Sequence, residues 1–163
     1  MKTIIIAGGC FWGVEAYFKQ LDGIKDTTVG YIDGMSEQPT YEDVCSGSGH
    51  AEAVKLTYDP SDVSLTAIMR HYLNIVDLTK INRQGPDIGR QYRSGIYNYD
   101  VEQKEAFMRV LDQHKQDINQ PIYIDLKPEA VFYEAEAYHQ DYLDKNPSGY
   151  CHVNLASIHD VKE

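Results

Sequence analysis

The order of patterned segments predicts an α+β fold, a two-layer α/β sandwich with a ferredoxin-like split βαβ core. Three observations carry that reading. An apolar run, Lys2–Ala7, passes directly into an amphipathic stretch, Phe11–Leu21. Two alternating segments, Asp26–Ile32 and Ala51–Tyr58, then follow with no helical pattern between them. A second amphipathic stretch ending near Val76 precedes another strand-like segment, Tyr92–Tyr99. The sequence order is therefore β-α-β-β-α-β, which is the split βαβ arrangement. A doubly wound sheet is disfavoured, because it would need a helix between the second and third strands.

Each element has a local reason. Thr3-Ile4-Ile5-Ile6-Ala7 is β-branched and apolar throughout, as a buried strand requires. In Phe11–Leu21 the apolar positions Phe11, Val14, Tyr17, Phe18 and Leu21 recur at helical spacing, and Gly23 breaks the pattern. Gly34, Pro39, Gly47 and Gly49 mark a loop before the third strand, which Asp59-Pro60 ends. Ser61 or Ser64 caps a helix presenting Leu65, Ile68, Met69, Tyr72 and Leu73 on one face. Asp77–Arg90 reads as a long loop, the kind that carries function in compact domains. Glu102–Gln116 is a helix with Phe107, Val110 and Leu111 inward, Pro121–Leu126 a further strand, and Glu134–Leu143 a short extra helix. After Pro147 no period is sustained, so an irregular C-terminal tail of about residues 146–163 is expected on a single domain spanning residues 1–163.

Composition excludes several partners. The 163 residues carry a formal net charge of −10 and no Lys/Arg run. Nucleic acid and anionic membrane surfaces are therefore poor partners. The N-terminal apolar segment is too short for a signal h-region, and the chain reads as cytoplasmic. Three widely separated cysteines, Cys10, Cys45 and Cys151, make no disulfide framework in such a compartment. No CxxC or paired Cys/His spacing supports zinc, so no metal is expected.

Chemistry concentrates at one end of the predicted sheet. Cys10 sits at a strand-to-helix turn, where unpaired backbone N–H groups and the helix dipole are expected to lower a thiol pKa and make a nucleophile. A buried packing cysteine is the plainer alternative at any one position. Phe11 and Trp12 can wall the sulfur, and Gly9 and Gly13 allow a close approach. The loops Gly34–His50 and Asp77–Arg90 reach the same edge. Around that edge the sequence supplies Tyr41, Glu42, Asp43, Glu52, Asp87 and Tyr92, predicted next to Cys10.

The run "GGCFWGVEAYFKQLDGI", followed by "TVGYIDG", "PTYEDVCSGSGHAEAVKLTYDP", "NRQGPDIGRQYRSGIY" and "AEAYHQDYLDKNPSGYC", resembles the A-type peptide methionine sulfoxide reductases, specific for the S epimer. The matches lie in order from Gly8 to Cys151. By that resemblance Cys10 is the nucleophile, and Phe11 and Trp12 form the pocket for the S-methyl group. Glu52 of "GHAE" is the acid at the sulfoxide oxygen, with Tyr41 and Tyr92 as further donors. Asp87 lies near the substrate's main-chain nitrogen, and Cys151 is the resolving cysteine. Burial beside aromatics would keep a Glu52 carboxyl protonated, the form a sulfoxide needs. Attack by Cys10 would leave a sulfenic acid, which condenses with a second thiol. The resemblance implies no cofactor, an external dithiol reductant such as thioredoxin, oxidised proteins and free methionine sulfoxide as substrates, and a monomer.

Some positions depart from the family pattern or are unassigned by it. Val76-Asp77-Leu78 stands where many members have His-Asp-Pro, a change expected to alter loop packing alone. One C-terminal cysteine implies a one-step relay from Cys151 to the reductant. Cys45 reads as structural, His114 and His139 as helix-surface residues, and Tyr133, Tyr138 and Tyr142 as packing aromatics. Two other classes can be drawn from the same residues. One is a thiol hydrolase using Cys10, His50 and Glu52. The other is a non-enzymatic redox switch of Cys10 and Cys151.

Overall fold

The computed structural model describes residues 1–161. Strands β1 (Lys2–Ala7), β2 (Ile24–Ile32), β3 (Ala51–Tyr58) and β6 (Gly95–Tyr97) form the centre of a six-stranded sheet, which β7 (Asp125–Lys127) and β8 (Phe132–Glu134) extend at its two edges. The order is β7-β6-β1-β3-β2-β8. Its central four, β6-β1-β3-β2, are antiparallel throughout. This is the expected split βαβ topology, to which β7 adds a parallel edge and β8 an antiparallel one.

The strands alternate between two cores because successive side chains point to opposite faces. Ile4, Ile6, Val54, Leu56, Val29, Tyr31 and Ile96 face the helical layer. That layer comprises α1 (Phe11–Lys19), α3 (Leu65–Ile75) and α4 (Val101–Ile118), which contribute Phe11, Phe18, Ile68, Tyr72, Phe107 and Leu111. Ile5, Ala7, Ala51, Ala53, Ile32 and Tyr97 form a smaller cluster on the opposite face, closed by Ala130 and Phe132. The helix starts follow the predicted capping logic. Ser64 Oγ accepts the Ala67 N–H at 3.0 Å, and Asp100 Oδ1 accepts that of Gln103 at 2.7 Å.

Several loops and ends differ from expectation. The stretch after β2 carries a short helix, α2 (Tyr41–Cys45), started by a capping box of Thr40 and Asp43. Asp77–Arg90 contains a two-residue ribbon, β4 (Arg83–Gln84) against β5 (Asp87–Ile88), so the long loop is ordered by its own hairpin. Arg90–Tyr92 is a 3-10 turn, which shortens the expected Tyr92–Tyr99 strand to β6. The Pro121–Leu126 strand is displaced to β7. The tail is not wholly irregular, since Leu155–Asp160 is 3-10.

The largest difference is Glu134–Leu143. The expected helix is replaced by the end of β8, a 3-10 turn at Ala137–His139 and a single turn, α5 (Tyr142–Lys145). Tertiary partners claim the backbone groups instead. Glu15 is buried in α1; its Oε1 accepts the Asp141 N–H at 2.8 Å, and its Oε2 accepts the Thr27 hydroxyl at 2.8 Å. Gln140 exchanges hydrogen bonds with both the N–H and the carbonyl of Val29, each at 2.9 Å. Asp141 takes a positive φ of 54°, which an α-helix does not contain.

Candidate active site

Sheet register gathers the site at one end. Ala7 pairs with Gly95, so the turn after β1 lies beside the turn carrying Tyr92. Tyr31 pairs with Glu52, and Ile32 with Phe132, which brings β3 and the segment after β8 to the same end. Arg93 fastens this edge from below. Its buried guanidinium donates to Asp125 Oδ2 (2.9 Å), the carbonyls of Gly49 (2.9 Å) and Arg90 (3.0 Å), and the Asp33 carbonyl (3.1 Å).

Cys10 caps α1 with non-helical φ and ψ, and Gly9 before it requires a φ of +91°. Only 7% of Cys10 is exposed. The helix start was expected to lower its pKa, but the free thiol is held above its ordinary value. Burial is the larger cause and the Glu52 charge the second; the N–H groups of Trp12 and Gly13 oppose them without prevailing. At rest Cys10 is therefore a protonated thiol.

Glu52 occupies the helix-facing row of β3, and 1% of it is exposed. Its Oε1 accepts the Phe11 N–H at 3.2 Å, while Oε2 is buried without a partner among the described residues. Burial pushes its pKa up to about 8, the Phe11 N–H acting against the rise and Asp87 adding to it. At neutral pH this carboxyl holds a proton with no protein acceptor. It is a donor waiting for an oxygen.

Tyr41 begins α2 and Tyr92 ends the 3-10 turn. Both phenols are raised well above the ordinary tyrosine value, by burial first and the Glu52 charge second, and stay protonated. The structure thus places Cys10, Tyr41 and Tyr92 in the field of one carboxyl. Asp87, on β5, accepts the Tyr150 hydroxyl through Oδ1 at 2.9 Å, and its Oδ2 is buried without a partner among the described residues. The Tyr150 phenol is pushed up to about 12, by burial and the Asp87 hydrogen bond, with smaller contributions from Cys10 and Cys151.

The apolar wall is built by partners that the sequence reading missed. Trp12 stacks on Tyr142 with ring centroids 3.8 Å apart and planes 8° from parallel. Its indole N–H donates to His139 Nδ1 at 3.0 Å. His139, expected on a helix surface, is 2% exposed. It packs against Phe11 (5.2 Å), Tyr41 (4.6 Å) and Tyr138 (4.1 Å). Burial lowers its pKa, so the ring is neutral and can accept from the indole. Only the irregular backbone after β8 turns His139 and Tyr142 toward Trp12. The aromatic clustering of Tyr138, His139 and Tyr142 was the available signal.

The tail folds back onto α1. A Cβ added to Gly13 would stand 3.2 Å from Cys151 Sγ, which lies against the first turn of α1 and donates to the Val153 carbonyl at 3.2 Å. Cys151 and Cys10 are both free thiols. Cys45 is exposed on α2 beside the Tyr41 phenol rather than packed in a core, because α2 turns it away from the sheet. His50 cannot serve Cys10 as a base in this arrangement. Its Nδ1 accepts the Gly34 N–H at 3.1 Å, and its Nε2 meets the Ser36 carbonyl at 2.7 Å.

Residues 2–163 match the family model described as peptide methionine sulfoxide reductase. The chain belongs to that family. It is 48% identical to the peptide methionine sulfoxide reductase MsrA of Clostridium tetani, over 95% of both chains. It is 51% identical to the MsrA of Clostridium acetobutylicum, over 94% of this chain and 95% of that one. Among solved structures, Mxr1 from Saccharomyces cerevisiae in reduced form superposes with a TM-score of 0.88 at 32% identity, over 99% of this chain and 92% of that one. The chain is accordingly an oxidoreductase acting on peptide methionine sulfoxide. Among the described residues no cluster of His, Cys, Asp or Glu is placed to hold a metal ion, and no helix is long and apolar enough to cross a membrane.

Proposed function

We propose that this single-domain reductase converts the S epimer of methionine sulfoxide, protein-bound or free, to methionine through a Cys10 sulfenic acid and a Cys10–Cys151 disulfide that thioredoxin reduces. The buried, protonated Glu52 with an unpartnered oxygen carries the reading. The substrate methyl rests on Phe11 and Trp12, its oxygen meets Glu52, Tyr41 and Tyr92, and its main-chain amide meets the free oxygen of Asp87. Protonation of the oxygen makes the sulfur electrophilic. Cys10 Sγ attacks it, the S–O bond breaks, and oxygen passes to Cys10 as the substrate sulfur is reduced by two electrons. Cys151 then displaces hydroxide from the sulfenic acid, leaving a disulfide and water. A dithiol restores both thiols by exchange. The protein would act as a monomer in the cytoplasm, repairing oxidised proteins.

The test uses separated epimers of a methionine sulfoxide peptide with thioredoxin, its reductase and NADPH. The S epimer should be consumed to completion with one NADPH per methionine, and the R epimer should persist. Equal consumption of both epimers would overturn the pocket assignment.

A further inference from the structure

His152 stands next to Cys151, and the active-site reading gives it no role. Its ring lies against Gly9 and Gly13, which bracket the Cys10-Phe11-Trp12 segment. A Cβ on Gly9 would stand 2.6 Å from His152 Nε2, and one on Gly13 would stand 3.1 Å from His152 Nδ1 and 3.2 Å from Cys151 Sγ. The ring nitrogen and the sulfur therefore converge on one point beside the first turn of α1. Gly9 and Gly13 are glycines partly because the tail must seat there.

Both ring nitrogens are shut off from solvent, and among the described residues neither meets full hydrogen-bond geometry, the weak approach to the Gly8 backbone being the one contact that favours a proton on the ring. A buried imidazole left unsatisfied costs stability, and its retention calls for an explanation. The Cys151 thiol has the complementary deficiency. Its proton rests on the Val153 carbonyl, which cannot remove it, yet only a thiolate attacks a sulfenic acid. His152 also borders a cleft of about 380 Å³, lined by Asn74, Asp77, Thr79, Gln84 and His114.

We propose that His152 is the proton carrier of the second half-reaction, taking the proton from Cys151 and returning it to the departing hydroxide of the Cys10 sulfenic acid. The step balances. One S–H and one S–O bond break, one S–S bond and one water form, the Cys151 sulfur is oxidised and the Cys10 sulfur reduced. Burial lowers the pKa of the ring, with Asp87 and the Gly8 backbone opposing, so the neutral base persists to below its ordinary value. The other titratable groups around it are Cys151 and, lining the same cleft, Asp77 and His114. The inference rests on the assignment of Cys151 as resolving thiol.

The experiment follows one turnover of the full chain by rapid quench without reductant, reading methionine and the disulfide separately across pH. In His152→Gln, methionine should form within about twofold of the parental rate, while disulfide closure slows by about 10²-fold, the low end of general-base assistance. A sulfenic acid trappable by dimedone should accumulate, and the acid limb of the closure rate should vanish. His152→Ala should regain closure on addition of imidazole. Closure by His152→Gln at the parental rate overturns the proposal. So does slowed closure that keeps the parental acid limb and ignores imidazole, the signature of a packing role. Cys151→Ser in parallel identifies the other failure: undiminished thioredoxin-driven turnover there would remove the relay itself, and this inference with it.

Discussion

The indole N–H of Trp12 donates to Nδ1 of His139 across 127 positions of sequence, at 3.0 Å. That bond and the Tyr142 ring fix two directions of the indole, one by its edge and one by its face. A neutral His139 is required, because a protonated ring has no acceptor to offer.

His139→Leu should therefore leave Trp12 in place but loosely held. Losing the bond costs about 0.5–1.5 kcal/mol, so kcat/KM should fall by roughly threefold to tenfold. Cys10 reactivity toward a small alkylating agent should be unchanged, since the ring of His139 packs on Phe11, Trp12, Tyr41 and Tyr138. Steady-state kinetics on a sulfoxide peptide, beside the alkylation rate, decide the matter. An unchanged kcat/KM would show that Tyr142 alone holds the indole.

Cys10→Ser should abolish reduction, because a hydroxyl cannot supply an anionic nucleophile at neutral pH. Cys151→Ser should form about one methionine per chain and then stall with thioredoxin, having lost the thiol that resolves the sulfenic acid. Counting methionine by chromatography separates the two. Multiple turnovers by the serine-10 chain would remove Cys10 from the centre of the mechanism.

Glu52→Gln keeps the shape of the site and removes its proton. General-acid help is worth about 10²–10⁴-fold, and the methionine-forming step should slow by that order. In the parent this step should decline as pH rises through about 8, where the carboxyl loses its proton, and the glutamine chain should lack that limb. Stability shifts with the same group. The folded carboxyl keeps a proton that the unfolded chain releases near 4.5, so parental stability should fall as pH rises from about 4.5 to about 8. Urea midpoints across that window should slope less steeply in Glu52→Gln. Parallel slopes would mean the folded carboxyl ionises at its ordinary pKa.

The core and the strand-to-helix turn that carries Cys10 were legible in the sequence because local pattern specifies them. Ile4 and Ile6 alternate with Ile5 and Ala7, and the helical spacing of Phe11, Val14 and Phe18 survives in the structure. What surrounds Cys10 was less legible. His139 and Tyr142 face Trp12 because Gln140 and Asp141 bond to β2 and α1, and such distant claims on the backbone leave no periodic trace. The Cys10 pKa was expected in the wrong direction for a related reason. A helix start is visible in sequence, whereas burial beneath Glu52 depends on the register of β3 against β2.

Epimer selectivity should depend on Trp12 more than on any donor. In the proposed pose, with the methyl against Phe11 and Trp12 and the oxygen toward Glu52, the thiol would meet sulfur along one remaining direction. The opposite configuration puts the oxygen against the rings without a hydrogen bond, at a cost of about 1–3 kcal/mol, and misaligns the attack. Trp12→Ala removes the surface that enforces this and leaves the Glu52, Tyr41 and Tyr92 donors in place. It should slow the S epimer and let the R epimer react measurably, lowering the ratio of the two kcat/KM values by about tenfold or more. Racemic methionine sulfoxide peptide with dithiothreitol, resolved on a chiral column, gives that ratio directly. A variant that is slower on the S epimer yet still inert toward the R epimer would place the discrimination in Phe11 and the donors instead.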